Sequence, residues 1–305
     1  MSKLEHSDNI QRCKKYIRKS ELTGVKTFEF EIDEENNDVK LIKYYETNLD
    51  YDVIEIPSFV TSAEECLFEG VNQSLKVIHK DNQIKTMKNM FTLFNGEILD
   101  LSEFDTTGVE DMCEMFEMGY RLKELKLSKD KFDTSKVKYM SAMFDNCKSL
   151  TSLDVSMFDT SNIEDMMMLF SGCHKLKELD LSNFDTSKVE IMLRMFTNCK
   201  SLTELDLSNF DTSKVVDMYG TFDGCTNIRS LNITSFDVSK VTDIVYLFRG
   251  CSSLKEIDLT SFICNNEECC YKNMFKDFDI SDVNIKTSDE RLDKIIEDIR
   301  NNRHR

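Results

Sequence analysis

The undecapeptide "LDLSNFDTSKV" occupies Leu179–Val189 and returns, letter for letter, at Leu205–Val215. The copies start 26 residues apart, and the same spacing spreads outward from them. Phe-Asp recurs at Phe104, Phe132, Phe158, Phe184, Phe210 and Phe236, with Phe262 in step; after a first step of 28, every step is 26. A second phenylalanine column runs through Phe91, Phe116, Phe144, Phe170, Phe196, Phe222, Phe248 and Phe275. A cysteine column holds Cys147, Cys173, Cys199, Cys225 and Cys251. Self-similarity at a fixed period of this length marks a stack of similar coils. Identical neighbours demand identical residues, because each copy solves the same packing problem against a copy of itself.

One unit, 176–199, reads "LKELDLSNFDTSKVEIMLRMFTNC". Leu176, Leu179 and Leu181 alternate with Glu178, Asp180 and Ser182, which predicts a short strand with one buried face. Asp185, Thr186 and Ser187 are turn and cap residues, whose side-chain oxygens accept from backbone N–H groups. Ser187 with Glu190, and Ser161 with Glu164, fit the spacing of a capping box. Val189, Met192, Met195, Phe196 and Cys199 then follow the apolar stripe of a short helix. Each coil is thus expected to run strand, turn, helix, turn. One coil cannot bury its own apolar side, whereas stacked coils can.

"LxxLxL" at such a period is the leucine-rich-repeat signature. The fuller form here, "LxxLDLSxFDTSxVxxMxxMFxxC", closely resembles the 26-residue repeat of bacterial surface proteins and lipoproteins, a branch of the BspA-like leucine-rich repeats, over residues 80–275. "VIEIPSFVTSAEECLFEG" at 53–70 is similar to the sister form of that family, and Phe68 lies 23 residues before Phe91. The resemblance implies a curved solenoid that recognises proteins or cell surfaces, without catalytic chemistry. The expected fold is an α/β, leucine-rich-repeat-type solenoid of about nine coils, with a parallel β-sheet on the concave face and short helices on the convex one. Its hand is expected to be right, by the rule for crossovers between parallel strands.

The solenoid is expected over 51–275, since open ends need covering. Residues 1–50 read as an N-terminal cap, a polar helix near 8–20 followed by a β-hairpin of "VKTFEFEI" and "VKLIKYYETN". Residues 276–305 read as a C-terminal cap. Its helix, in "TSDERLDKIIEDIR", carries Leu292, Ile295, Ile296 and Ile299 on one side, with Thr287 and Glu290 as a capping box.

The chain has 305 residues and a net charge of -17, from 56 acidic and 39 basic side chains. Such a surface repels phosphate backbones and anionic lipid, so nucleic acid is not an expected partner. The most obvious apolar run, "MMMLF" at 166–170, is too short to span a bilayer, and no membrane insertion is expected. "MSKLEHSDNIQRCKKY" has no apolar core of a secretory signal, which favours a cytoplasmic or intracellular location. Eleven cysteines, an odd number, read most simply as free thiols in a reducing compartment.

The cysteine column ends the apolar stripe of each copy, so it reads as core filler rather than a string of metal ligands. Phe94 and Gly119 hold that place in earlier coils. "CNNEECC", with Cys264, Cys269 and Cys270, lacks the second ligand pair of a zinc site. His174 adjoins Cys173, but sequence neighbours diverge, and a Cys–His dyad needs them to converge. The methionines Met112, Met140, Met166, Met192 and Met218 read as core. No nucleophile elbow, phosphate-binding loop or dinucleotide fingerprint is present. No enzyme activity, cofactor or metal is expected.

Function is sought instead on the strand face. One outward column is Asp100, Lys126, Asp154, Asp180, Asp206, Asn232 and Asp258; beside it run Glu124, Ser152, Glu178, Glu204, Ser230 and Glu256. Stacked roughly 4.8 Å apart, these make an acidic ladder. Stacked like charges are expected to raise one another's pKa. Asp154, Glu178, Asp180, Glu204, Asp206, Glu256 and Asp258 are therefore the candidate partner-binding residues, for a protein partner, a basic one favoured, on a monomer. The aspartates also belong to the repeat's "LDLS", where bonding to neighbouring serines explains them equally well. The runner-up function, implied by the resemblance, is a surface adhesin or virulence-type protein. A ubiquitin-ligase adaptor would need a recruiting domain, and residues 1–50 show no convincing F-box.

Overall fold

The structure is a computed structural model that describes residues 13–19, 26–33, 38–45, 51–56, 60–63, 66–80, 83–264, 271 and 273–302. A solenoid dominates it. The inner phenylalanine column, Phe68, Phe91, Phe116, Phe144, Phe170, Phe196, Phe222, Phe248 and Phe275, counts nine coils, every ring buried. From Phe144 to Phe248 the rings are 5.7–5.8 Å apart and 2–12° from parallel. A second stack links Phe184, Phe210, Phe236 and Phe262 at 6.3–6.5 Å. His79 takes a place in line with it, fully buried, 5.3 Å from the Phe104 ring, with Nδ1 2.9 Å from the Asp105 carbonyl oxygen.

Strands β1 (Cys13–Lys19), β2 (Lys26–Asp33) and β3 (Asp38–Tyr44) form an antiparallel sheet. The hairpin expected from the sequence is β2–β3. The polar helix expected near 8–20 is corrected: 13–19 is a strand, and 8–12 lies outside the described residues. "CKKYIRK" pairs along its length with β2, and that ladder outweighs its helical appearance. β4 (Tyr51–Ile56) belongs to the solenoid. β5 (Ser62–Ala63) returns to pair with β3 in parallel, tying the hairpin to the first coil.

The strand flank follows the leucine alternation. β4, β6 (Ser74–His79), β7 (Ile98–Asp100) and β8 (Glu124–Lys126) make one parallel sheet. β9 (Glu204–Asp206) pairs with β10 (Ser230–Asn232), and β11 (Glu256–Leu259) with β12 (Asn284–Thr287), again parallel. At 150–155 and 176–181 no strand is formed, although Leu153, Val155, Leu179 and Leu181 remain buried. The strands are short because the aspartate that follows the second leucine takes the next free N–H. Asp180 Oδ1 accepts from the Ser182 N–H at 3.0 Å, and Asp206 from Ser208 at 3.0 Å, closing turns of the Asx type.

The opposite flank departs from expectation. Among the described residues the predicted short helices are absent; residues such as 192–199 run as consecutive turns. Within a coil, N–H groups bond three residues back: Met195 to Met192 and Cys199 to Phe196. Between these, the N–H groups of Met192, Arg194, Phe196 and Asn198 reach the next coil, at the carbonyls of Asp217, Tyr219, Thr221 and Asp223. The pattern recurs from Met166, Met168, Phe170 and Gly172 and from Met218, Gly220, Phe222 and Gly224. It requires left-handed backbone twice per coil, at Arg194 (φ 55°) and Asn198 (φ 59°) and at their equivalents Gly220 and Gly224. Residues rarely adopt this without glycine, and here the bonds to the next coil over-determine it. The expected capping boxes are replaced too: Asp185 and Asp159, not Ser187 and Ser161, accept the free N–H groups, those of Ser187 and Ser161.

Threonine explains the recurring "FDTS" of the central coils. Thr186 Oγ1 donates to the Asp211 carbonyl at 3.0 Å and accepts from the Asp211 N–H at 2.8 Å. Thr160 and Thr212 make the same reciprocal pair with the coils that follow them.

Helix α1 (Glu290–Asn302) follows β12 and buries Leu292 and Ile296. Its N-cap is corrected from Thr287 to Asp289. Asp289 Oδ1 accepts from the Arg291 and Leu292 N–H groups, while Thr287 Oγ1 accepts from Asp289 itself. Arg300 ties the helix end back through the Val283 carbonyl at 2.8 Å.

Candidate functional site

Leu179 and Leu205 point into the core, so Glu178, Asp180, Glu204 and Asp206 face outward and are exposed, as are Asp154 and Glu256. Asp258 is half-buried. The seven do not form one unbroken ladder. Register places Asp100 beside Lys126, Asp206 beside Asn232, and Asp258 beside Lys286, whose ammonium lies 3.6 Å from its carboxylate. Glu204 lies opposite Ser230 and Glu256 opposite Asn284. Acid follows acid only through Asp154, Asp180 and Asp206, with Glu178 and Glu204 alongside.

The pKa shift is also opposite to the one expected. The Ser182 N–H and hydroxyl hold the Asp180 carboxyl below the usual carboxylate range, outweighing the upward push from Asp154. Ser208 does the same for Asp206, and Ser156 for Asp154. Thr260 lowers Asp258, helped by Lys286. A carboxylate that accepts hydrogen bonds is stabilised as the anion, and at this exposure the mutual repulsion is screened by water. The hydrogen bonds to neighbouring serines are thus present, and they leave the carboxylates exposed as anions. Each closes a turn with one oxygen and stays ionised.

The cysteines form a separate buried stack. Cys147, Cys173, Cys199, Cys225 and Cys251 are free and fully buried. Each thiol donates to a phenylalanine carbonyl of the preceding coil, as Cys199 Sγ does to Phe170 O at 3.1 Å. Burial pushes the Cys147 and Cys225 thiols up to about 12. They are poor nucleophiles and poor metal ligands in this state, since both roles need the thiolate. Cys264 is disulfide-bonded, so the expectation of free thiols throughout does not hold for it. Cys269 and Cys270 lie outside the described residues. His174 is half-buried, and burial with nearby Lys200 and Lys148 lowers its pKa. Among the described residues, no three His, Cys, Asp or Glu side chains gather to hold a metal, and no helix is long and apolar enough to cross a membrane.

The sequence matches the family described as "Mycoplasma protein of unknown function, DUF285" in three overlapping stretches, 65–178, 117–206 and 171–289. The chain belongs to that family. The matched stretches together run from 65 to 289 and take in the coils from Phe68 to Phe275 described above. Solved structures similar to it include the following. The T. pallidum leucine-rich-repeat protein TpLRR is 15% identical over 78% of this chain and 91% of its own, with a TM-score of 0.41. A leucine-rich cell surface protein from Faecalibacterium prausnitzii is 15% identical over 92% and 97%, at 0.29. The pneumococcal vaccine antigen PcpA is 14% identical over 93% and 96%, also at 0.29. No curated protein sequence gives a significant match.

Proposed function

We propose that this DUF285 chain is a non-catalytic interaction module that holds a protein partner on its solenoid surface. The strand flank serves as an electrostatic platform for a basic segment. The observation that carries this reading is the run of Asp154, Asp180 and Asp206 on three successive coils, exposed and held ionised by their own turns. A cationic segment laid along the coils meets one such carboxylate per coil, with Glu178 and Glu204 widening the strip. An intracellular site of action is part of the proposal, tested by cell fractionation.

Attraction of this sort acts mainly on the association rate and fades with salt, because the Debye length is about 8 Å at physiological ionic strength. The sharpest variant is Asp to Asn. Asn232 occupies the same column and accepts the Thr234 N–H at 3.4 Å, so asparagine keeps the turn and removes the charge. Asp180→Asn with Asp206→Asn should slow capture of a lysine-rich peptide at low salt and leave its dissociation unchanged. Unaltered association at both low and high salt would reduce the acidic strip to a structural device.

A further inference from the structure

The turn flank carries a second surface that the repeat does not explain. Residues needed for stacking recur from coil to coil, as Phe196 does in all nine. The outward column one residue past each central methionine, or past Ile244 in the last of these coils, does not recur. It reads Cys113, Ser141, Met167, Leu193, Tyr219 and Val245, becoming apolar across four successive coils. These four side chains are half-buried, while the core residues beside them, such as Met192 and Met218, are fully buried. Ile191 and Tyr246 extend the strip sideways, and Tyr139, 56% exposed, lies at its N-terminal margin. The Tyr219 and Tyr246 rings meet edge to face at 5.5 Å.

Charge borders the strip on both sides. Asp165, Asp217 and Asp243 form one edge. Each is half-buried and uses Oδ1 to accept a single backbone N–H, from Met167, Tyr219 and Val245 at 2.7–2.9 Å. Burial raises the Asp165 and Asp217 carboxyls, and Asp243 adds to the latter. An incoming cation relieves that cost. On the other edge, Arg194 lies over the Tyr219 ring at 5.3 Å and Arg249 over Tyr246 at 4.5 Å. Arg249 is already neutralised by Asp223.

The spacing of the strip selects the shape of its occupant. Bridges joining Asp165 to Ile191, Ile191 to Asp217 and Asp217 to Asp243 set successive coils of the strip roughly 4.8 Å apart. An α-helix advances about 5.4 Å per turn, whereas alternate side chains of a strand are roughly 6.6–6.8 Å apart. A helix laid along the solenoid presents one side chain per coil, at i, i+3 or i+4, and i+7. From this match and the bordering carboxylates, we infer that the turn flank is a docking surface for an amphipathic helix of a partner protein. Apolar side chains of that helix lie on Met167, Leu193, Tyr219 and Val245, and its lysines or arginines lie along Asp165, Asp217 and Asp243. This surface is separate from the acidic strand flank and does not depend on it.

The test uses the full chain and a synthetic probe. The probe is a 20-residue helical peptide with leucine at i, i+3 and i+7 and lysine along one side of that stripe, labelled for fluorescence anisotropy. A scrambled peptide of the same composition serves as control. Saturable binding of the helical probe alone is expected. Leu193→Glu with Tyr219→Glu should weaken it about tenfold or more, as loss of a central apolar anchor does. Asp165→Asn, Asp217→Asn and Asp243→Asn keep the turns and should weaken it less, with reduced salt dependence. Asp180→Asn with Asp206→Asn on the strand flank should leave it unchanged. Thermal melts confirm that each variant is folded. Absence of saturable binding, equal binding of the scrambled peptide, or retained affinity in a folded Leu193→Glu, Tyr219→Glu variant would each overturn the inference.

Discussion

Between Met192–Cys199 and Met218–Cys225, neighbouring coils exchange a backbone hydrogen bond at every second residue. Between Leu179–Leu181 and Leu205–Leu207, the same two coils pack buried leucines, and no strand pairing joins 176–181 to the next coil. One flank is tied by main chain and stacked rings, the other by apolar side chains and turns closed by aspartate. The backbone ladder fixes the distance between coils. The leucine flank only has to follow it, which is why its strands come and go while burial persists. Regular sheet on the expected recognition face is therefore not what holds this solenoid together.

The largest effect should come from the stacked rings. Phe196 lies 5.8 Å from Phe170 and 5.7 Å from Phe222. Phe196→Ala should cost about 3–5 kcal/mol, and Leu179→Ala on the strand flank about 2–4 kcal/mol, by chemical denaturation. Equal or reversed costs would break the contrast between the flanks.

Backbone strain comes next. Gly224 has φ 72°, and a Cβ there would sit 2.5 Å from Asn198 Oδ1. Gly224→Ala should cost about 1–3 kcal/mol, from left-handed strain and displacement of that side chain. A variant as stable as the parent would show that the ladder tolerates relaxation at this point.

Titration should separate the flanks by sign. Ser182 lowers the Asp180 carboxyl, so its contribution is present above the unfolded carboxylate pKa and is lost as pH falls through the folded value. Burial raises Asp217, so it opposes folding above its raised pKa, and that penalty lifts as pH falls. At neutral pH, Asp217→Asn should raise the denaturation midpoint and Asp180→Asn should lower it slightly; on acidification, both variants should converge on the parent. Shifts of the same sign would contradict the assignment. The smallest effect belongs to Lys188→Ala. Its ammonium donates to Asn162 Oδ1 at 2.9 Å on the exposed surface, and its removal should leave the midpoint within about 0.5 kcal/mol of the parent.

Much of this was legible in the sequence. The alternation of Leu176, Leu179 and Leu181 with Glu178 and Asp180 predicted the inward face correctly, and the columns placed Phe196 and Cys199 in the core. The turn flank was misread because two structures share one apolar spacing. Met192, Met195, Phe196 and Cys199 fit a helical stripe, but turns closed every three residues bring the same positions inward. The discriminating signal lies one residue before the cysteine column, where Asn146, Gly172, Asn198, Gly224 and Gly250 all adopt left-handed backbone. Asparagine and glycine tolerate that region, and a helix has no need of them there. The outward position of the candidate carboxylates was also legible. Their lowered pKa was not, because it depends on the direction of the Ser182 N–H rather than on charge spacing.

The ladder on the turn flank has a direction. From the central methionine onward it is the N-terminal coil that donates and the C-terminal coil that accepts, as Met166 does to Ile191 and Met192 to Asp217, while a single bond just before it, such as that from the Glu190 N–H to the Glu164 carbonyl, runs the other way. The two ends of the stack are therefore unlike, one offering spare acceptors and the other spare donors, and each requires its own closure. Internal junctions are interchangeable. Removal of residues 179–204 would leave Leu205 following Glu178 directly, and the undecapeptide after that join would read as it did before. Length is consequently a variable that whole coils can change, while the two closures and the interfaces between coils stay as they are.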